Sequence, residues 1–121
     1  EHALSGYYDI THGEGLAIIT PHWMRHVLNE RTQERIVKFG VNVFGLAADQ
    51  APSEIAEQTI ARTAQFFKSL GMPMTLREVG IDDSRLEEMA HHIAVNEGLD
   101  APGTFAPLNE QDILSILKAA L

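Results

Sequence analysis

Pro52-Ser-Glu-Ile-Ala-Glu-Gln-Thr-Ile-Ala-Arg-Thr-Ala-Gln-Phe-Phe-Lys-Ser-Leu-Gly71 carries the clearest periodic signal in the chain. Ile55, Ala56, Thr59, Ile60, Thr63, Phe66, Phe67 and Leu70 recur at three- and four-residue intervals, which puts them on one face of a helix over 53–70. Pro52-Ser53-Glu54 suits the first turn, and Gly71 suits the left-handed cap that ends a helix. Upstream, Leu16, Ile19, Trp23, Val27 and Leu28 keep the same period over 15–29. Ala17, Ile18 and Met24 widen that stripe, so this helix is expected to be buried on most sides. Pro21 is expected to kink it or to mark its real start.

A further helix is predicted over 33–46, with Ile36, Val37, Phe39, Val43 and Phe44 apolar and Thr32 as N-cap. Val41–Phe44 alone reads as a short strand, but one too isolated to pair. Thr75 is placed as the cap of a short turn, 76–79, closed by Gly80. Asp82 or Asp83 is expected to start a helix running through Leu86, Met89, Ala90, Ile93 and Ala94 to Gly98. Residues 99–108 read as loop, and Asn109, followed by Asp112 three positions on, as the cap of a last helix. Phe39, Phe44, Phe66, Phe67 and Trp23 fall at helical spacings and are read as core. Strand alternation is absent, so the expected fold is all-α, a bundle-like domain of five or six helices.

With 121 residues and 45% hydrophobic composition, the chain makes one domain or part of one, with core enough to need neither disulfides nor a structural metal. It has no cysteine, which excludes thiolate ligands and cysteine nucleophiles and suits a reducing, cytoplasmic setting. Seventeen acids against nine bases give a formal charge of −8, which repels phosphate backbones and argues against nucleic acid as a partner. No apolar run reaches the length of a membrane span. The opening residues lack a signal-peptide pattern and an initiator Met, so a chain processed or excised from something larger is expected.

Chemistry concentrates in residues 1–15, Glu-His-Ala-Leu-Ser-Gly-Tyr-Tyr-Asp-Ile-Thr-His-Gly-Glu-Gly, where His2 and His12 flank a small and aromatic stretch. Neutral imidazole binds Zn²⁺ or Fe²⁺ well. A ten-residue separation lets the two rings meet only across a turn, and Gly6, Gly13 and Gly15 permit tight turns or close approach. His22 and His26 share a helix face but lack the glutamate of His-Glu-x-x-His, Trp23 standing in its place. His91 and His92, being adjacent, diverge on a helix. The acids of Asp82–Glu88 are explained by the dipole at a helix start. No phosphate-binding glycine loop and no Gly-x-Ser-x-Gly occurs.

The run His2-Ala-Leu-Ser-Gly-Tyr-Tyr-Asp-Ile-Thr-His12-Gly-Glu-Gly-Leu-Ala-Ile-Ile-Thr-Pro-His22-Trp-Met-Arg25 closely resembles the second signature of the iron-containing (group III) alcohol dehydrogenases, the butanol dehydrogenase branch above all. Ser53-Glu-x-Ala56, Phe66-Phe67-x-Ser-Leu-Gly71-Met-Pro and Thr75-Leu-x-Glu-x-Gly80-Ile resemble later segments of the family, so the likeness covers the whole chain. Glycerol dehydrogenase and dehydroquinate synthase relatives share the architecture but open differently. The resemblance implies an α/β domain for NAD(H) or NADP(H) and a helical C-terminal domain for Fe²⁺ or Zn²⁺, a two-domain dehydroquinate synthase-like fold. On that reading residues 1–121 are the C-terminal part of the helical domain, without the nucleotide-binding domain.

The resemblance also assigns roles. His12 matches the last of four metal ligands, with the other three upstream of Glu1. His2 matches the catalytic histidine beside nicotinamide and metal. The implied reaction is reversible hydride transfer with a small alcohol or aldehyde, in an enzyme expected to be a homo-oligomer. The 121 residues alone, with one ligand of four, are expected to be inactive and to bind metal weakly. The competing expectation is a free-standing helical interaction or oligomerisation module.

Overall fold

The computed structural model describes residues 1–121, which form six α-helices: α1 His2–Tyr8, α2 His12–Val27, α3 Gln33–Phe44, α4 Pro52–Ser69, α5 Leu86–Asn96 and α6 Glu110–Ala119. A 3₁₀ turn at Arg77–Val79 precedes α5. The all-α expectation holds. The helix α2 is apolar on most of its circumference, and it is covered accordingly. The helices α1 and α6 pack on it through a main core that includes Leu4, Ile18, Leu86, Met89 and Leu117. The helix α4, paired with α3, covers it through a smaller cluster of Met24, Ile36, Ala56 and Ile60. Trp23, half-buried, touches both clusters.

Pro21 is buried inside α2, which begins nine residues before it, so Pro21 does not start the helix. A second departure is α1, which periodicity missed. Seven residues are too few for an isolated helix, and Ser5-Gly6-Tyr7-Tyr8 has poor helix propensity. Tertiary contacts hold it. Leu4 is fully buried in the main core. The Tyr7 ring lies under the Arg85 guanidinium at 4.4 Å and meets the edge of His92, which ties α1 to α5.

Capping differs in two places. Thr32 precedes α3 but does not cap it, because its hydroxyl donates to the Val27 carbonyl at 2.6 Å and accepts from the Asn29 N–H at 2.9 Å. Asp82 does not start a helix. Its Oδ1 accepts from the Ser84 N–H at 2.9 Å and from the Ser84 hydroxyl, forming a local turn that delays α5 to Leu86. Asn109 and Asp112 do form the expected reciprocal cap of α6, with both bonds at 2.9 Å.

The aromatic residues divide. Phe39 and Phe66 are exposed, as are Val43 and Leu70, so these apolar side chains of α3 and of the last turn of α4 are not core. Where these two helices cross, Gly40 lies against Thr59. A Cβ at residue 40 would overlap the Thr59 hydroxyl and meet Thr59 Cβ at 3.1 Å. Thr59 is fully buried, and its hydroxyl donates to the Ile55 carbonyl at 2.7 Å, so it cannot turn aside without losing that bond.

Opposite effects are expected at two helical glycines. Gly40→Ala lowers the unfolding free energy by about 1–3 kcal/mol through overpacking. Gly6→Ala, where a Cβ meets nothing within 4 Å, raises it by about 0.5–1 kcal/mol. Urea denaturation of both variants reads these shifts, and a neutral Gly40→Ala contradicts the packing described.

Candidate metal centre

The start of the chain is folded into a corner. Asp9 ends α1 in the left-handed conformation at φ 55°, its N–H returning to the Ser5 carbonyl. The Thr11 N–H donates to Glu14 Oε2 at 3.2 Å and α2 starts at His12. This turn brings His2 and His12 together. Their rings stack with centroids 5.4 Å apart and planes 17° from parallel. Glu1 joins them, its Oε2 on His12 Nδ1 and its Oε1 accepting from the Ser5 hydroxyl. Glu1, His2 and His12 form a group of three donor residues whose ligand atoms lie within 4.8 Å of one another.

Burial within the group is uneven. The His12 side chain is 57% exposed, whereas that of Glu1 is only 6% exposed. An apolar cleft of about 240 Å³ adjoins Glu1, walled by Leu4, Ile19, Trp23, Leu99 and Leu117 among others. Gly15 provides the space for the carboxylate. A Cβ at residue 15 would come within 2.5 Å of Glu1 Oε1 and 2.7 Å of its Cγ. Close approach is therefore the role of Gly15, while Gly6 and Gly13 lie in helices rather than tight turns.

Two imidazoles and a carboxylate suit Zn²⁺ or Fe²⁺ in donor type. His12 offers Nε2 to such an ion, because its Nδ1 faces Glu1. The Glu1 oxygens are engaged by Ser5 and His12, which leaves the two imidazoles as the candidate ligands of the group. Sequence reasoning missed Glu1. Its signal was its four-residue spacing from Ser5, visible only once α1 is recognised as a helix.

The remaining histidines have other partners. His22 lies ten residues along α2 from His12, about 15 Å by helical rise, so it does not border this group. Burial pushes its imidazole down, with the positive charge of Arg25 adding. His26 Nε2 meets Asp112 Oδ1 at 3.0 Å and so joins α2 to α6. His91 Nδ1 meets Glu110 Oε2 at 3.0 Å, and His92 packs against Tyr7. A larger open groove of about 560 Å³ runs along α3 between Glu34 and Val43, lined mainly by one charged helix face and by none of the histidines.

Two imidazoles and a nearly buried carboxylate thus meet where α2 starts, a donor set of the type that binds Zn²⁺ or Fe²⁺. The model of the Fe-containing alcohol dehydrogenase family, C-terminal part, matches residues 1–121, and the chain belongs to that family. It is 48% identical over 118 residues to NADH-dependent butanol dehydrogenase A of Clostridium acetobutylicum, covering 98% of this chain and 30% of the relative. It is 43% identical over 122 residues to butanol dehydrogenase B of the same organism, covering 100% of this chain and 31% of that one. Among solved structures, NADH-dependent butanol dehydrogenase A of Thermotoga maritima superposes with a TM-score of 0.82 at 29% identity, over 98% of this chain and 31% of that one. The chain thus spans under a third of the length of these relatives. No helix is long and apolar enough to cross a membrane.

The tie between α2 and α6 gives a pH-dependent expectation. The Asp112 carboxyl is held below the usual carboxylate range, first by the Asn109 N–H and then by the His26 ring. A depressed folded value means that the stabilisation is present above the unfolded value, about 3.9, and is lost as pH falls through the folded one. Asp112→Asn should therefore be less stable than the parent chain near neutrality. The difference should shrink as pH falls below about 4. Urea melts at several pH values check this; a difference that stays constant down to acid pH contradicts it.

Proposed function

We propose that residues 1–121 are the metal-binding helical part of a nicotinamide-dependent alcohol dehydrogenase that interconverts small alcohols and aldehydes. The observation that carries this reading is the stacked pair His2–His12, two rings ten residues apart brought together at the start of α2. The relatives support the reading, being NADH-dependent butanol dehydrogenases by name.

In this reading His12 is a ligand to Fe²⁺ or Zn²⁺ through Nε2, and further ligands come from residues outside 1–121. When bound, the metal supplies Lewis acidity toward the substrate oxygen. His2, exposed and stacked on His12, is placed to hold or pass a proton beside that oxygen and to flank the nicotinamide of NAD(H) or NADP(H). The packing of Leu4 and Tyr7 fixes α1, and with it His2. The enzyme is assigned to the cytoplasm. The exposed apolar side chains Phe39 and Val43 on α3, and Phe66 and Leu70 at the end of α4, are suited to burial against the rest of the enzyme or a second subunit, in keeping with a homo-oligomer.

Taken alone, the chain should bind Zn²⁺ weakly and show no hydride transfer, because one to two imidazoles cannot hold the ion in a fixed geometry. A chimera in which residues 1–121 replace the matching segment of Clostridium acetobutylicum butanol dehydrogenase A should reduce butanal with NADH. His12→Ala in that chimera should lower kcat/KM by about 100-fold or more, since loss of even an outer partner of a metal ligand costs about 10–100-fold. Tight stoichiometric Zn²⁺ binding by the chain alone, or an active His12→Ala chimera, contradicts the proposal.

A further inference from the structure

We propose that Glu1 is the positioning residue of His12: it fixes the tautomer and direction of that ring so that Nε2 carries the free lone pair. The inference rests on reading His12 as a metal ligand and assigns a second residue to the same site. Three observations converge on Glu1. Its side chain is only 6% exposed. Both of its oxygens are engaged, one by the Ser5 hydroxyl and the other by His12 Nδ1. Its carboxylate occupies a notch that exists only because residue 15 is glycine.

The chemistry follows from the donor inventory. An ionised carboxylate only accepts hydrogen bonds, so the ring nitrogen facing it must carry the proton. With Nδ1–H directed at Glu1, the neutral ring leaves Nε2 bare, and this is the form in which imidazole binds a metal. The Ser5 hydroxyl, donating to the other oxygen, holds the carboxylate in place from within α1. The apolar cleft beside Glu1 shields its carboxylate, and with it the part-buried Ser5 bond, from competing water. Glu1 is not itself read as a ligand. It is nearly buried, whereas His12 is more than half exposed.

The test uses ¹⁵N-detected imidazole NMR on the metal-free 121-residue chain, at a pH where the rings are neutral. The expected result is His12 protonated at Nδ1 and bare at Nε2. Glu1→Ala should return His12 mainly to the Nε2–H form, while Glu1→Gln, whose amide oxygen still accepts, should keep Nδ1–H. Gly15→Ala should reproduce the Glu1→Ala result with Glu1 still present, because the added methyl displaces the carboxylate. Far-UV circular dichroism confirms that each variant folds. On titration with Zn²⁺, Glu1→Ala should weaken the binding that perturbs His12 by about 10–100-fold. A His12 protonated at Nε2 in the parent chain, or a tautomer that Glu1→Ala leaves unchanged, overturns the proposal. Should Glu1 control the tautomer while millimolar Zn²⁺ leaves His12 untouched, the metal assignment of His12 fails and the positioning role stands.

Discussion

The helix α2 has too much apolar surface for one neighbour to cover. Ala17, Ile18, Pro21, Met24 and Val27 are all buried along it, and Trp23 reaches both core clusters. Burying such a helix requires partners on several sides, and the chain provides them as α1 and α6 on the main core and α4 on the smaller one. The helix α3 completes a pair with α4, while α5 pairs with α6, fills the main core with Leu86, Met89, Ala90 and Ile93 and supports α1. The architecture is thus a response to one element rather than a bundle of equals.

The same helix carries the proposed metal ligand at its first residue. His12 opens α2, and Gly15, one turn on, faces the same way and clears the space that Glu1 fills. A rigid, well-covered helix is a good base for a ligand, since a site on a packed helix moves less than one on a loop. The short α1 is the opposite case. It is fixed by Leu4 and by the Tyr7–Arg85 contact, so the position of His2 depends on how firmly that small helix docks.

What was legible in the sequence follows from this division. The helices α2, α4 and α6 could be read because period, capping residues and burial agree, as at Asn109–Asp112. The helix α1 could not, because nothing local favours it and its stability is tertiary. Phe66 and Leu70 continue the apolar face of α4 past the point where α3 and α2 cover it; periodicity identifies such a face but not what lies against it. Asp82 shows competition, a carboxylate used for a local turn where a helix cap was expected. At the site, His2 and His12 were visible as residue types, and the family likeness assigned them roles. Glu1 escaped notice because its place in the site depends on α1.

The central claim is that the His2–His12 end of the molecule is where a metal binds. Two other imidazole–carboxylate pairs, His26–Asp112 and His91–Glu110, each meet at 3.0 Å. The most direct test adds Co²⁺ to the ¹⁵N-labelled chain and maps paramagnetic broadening and shifts. Effects centred on His2 and His12 and fading along α2 toward His22 are predicted. Effects centred on His26–Asp112 or His91–Glu110, with His12 undisturbed, would contradict the account.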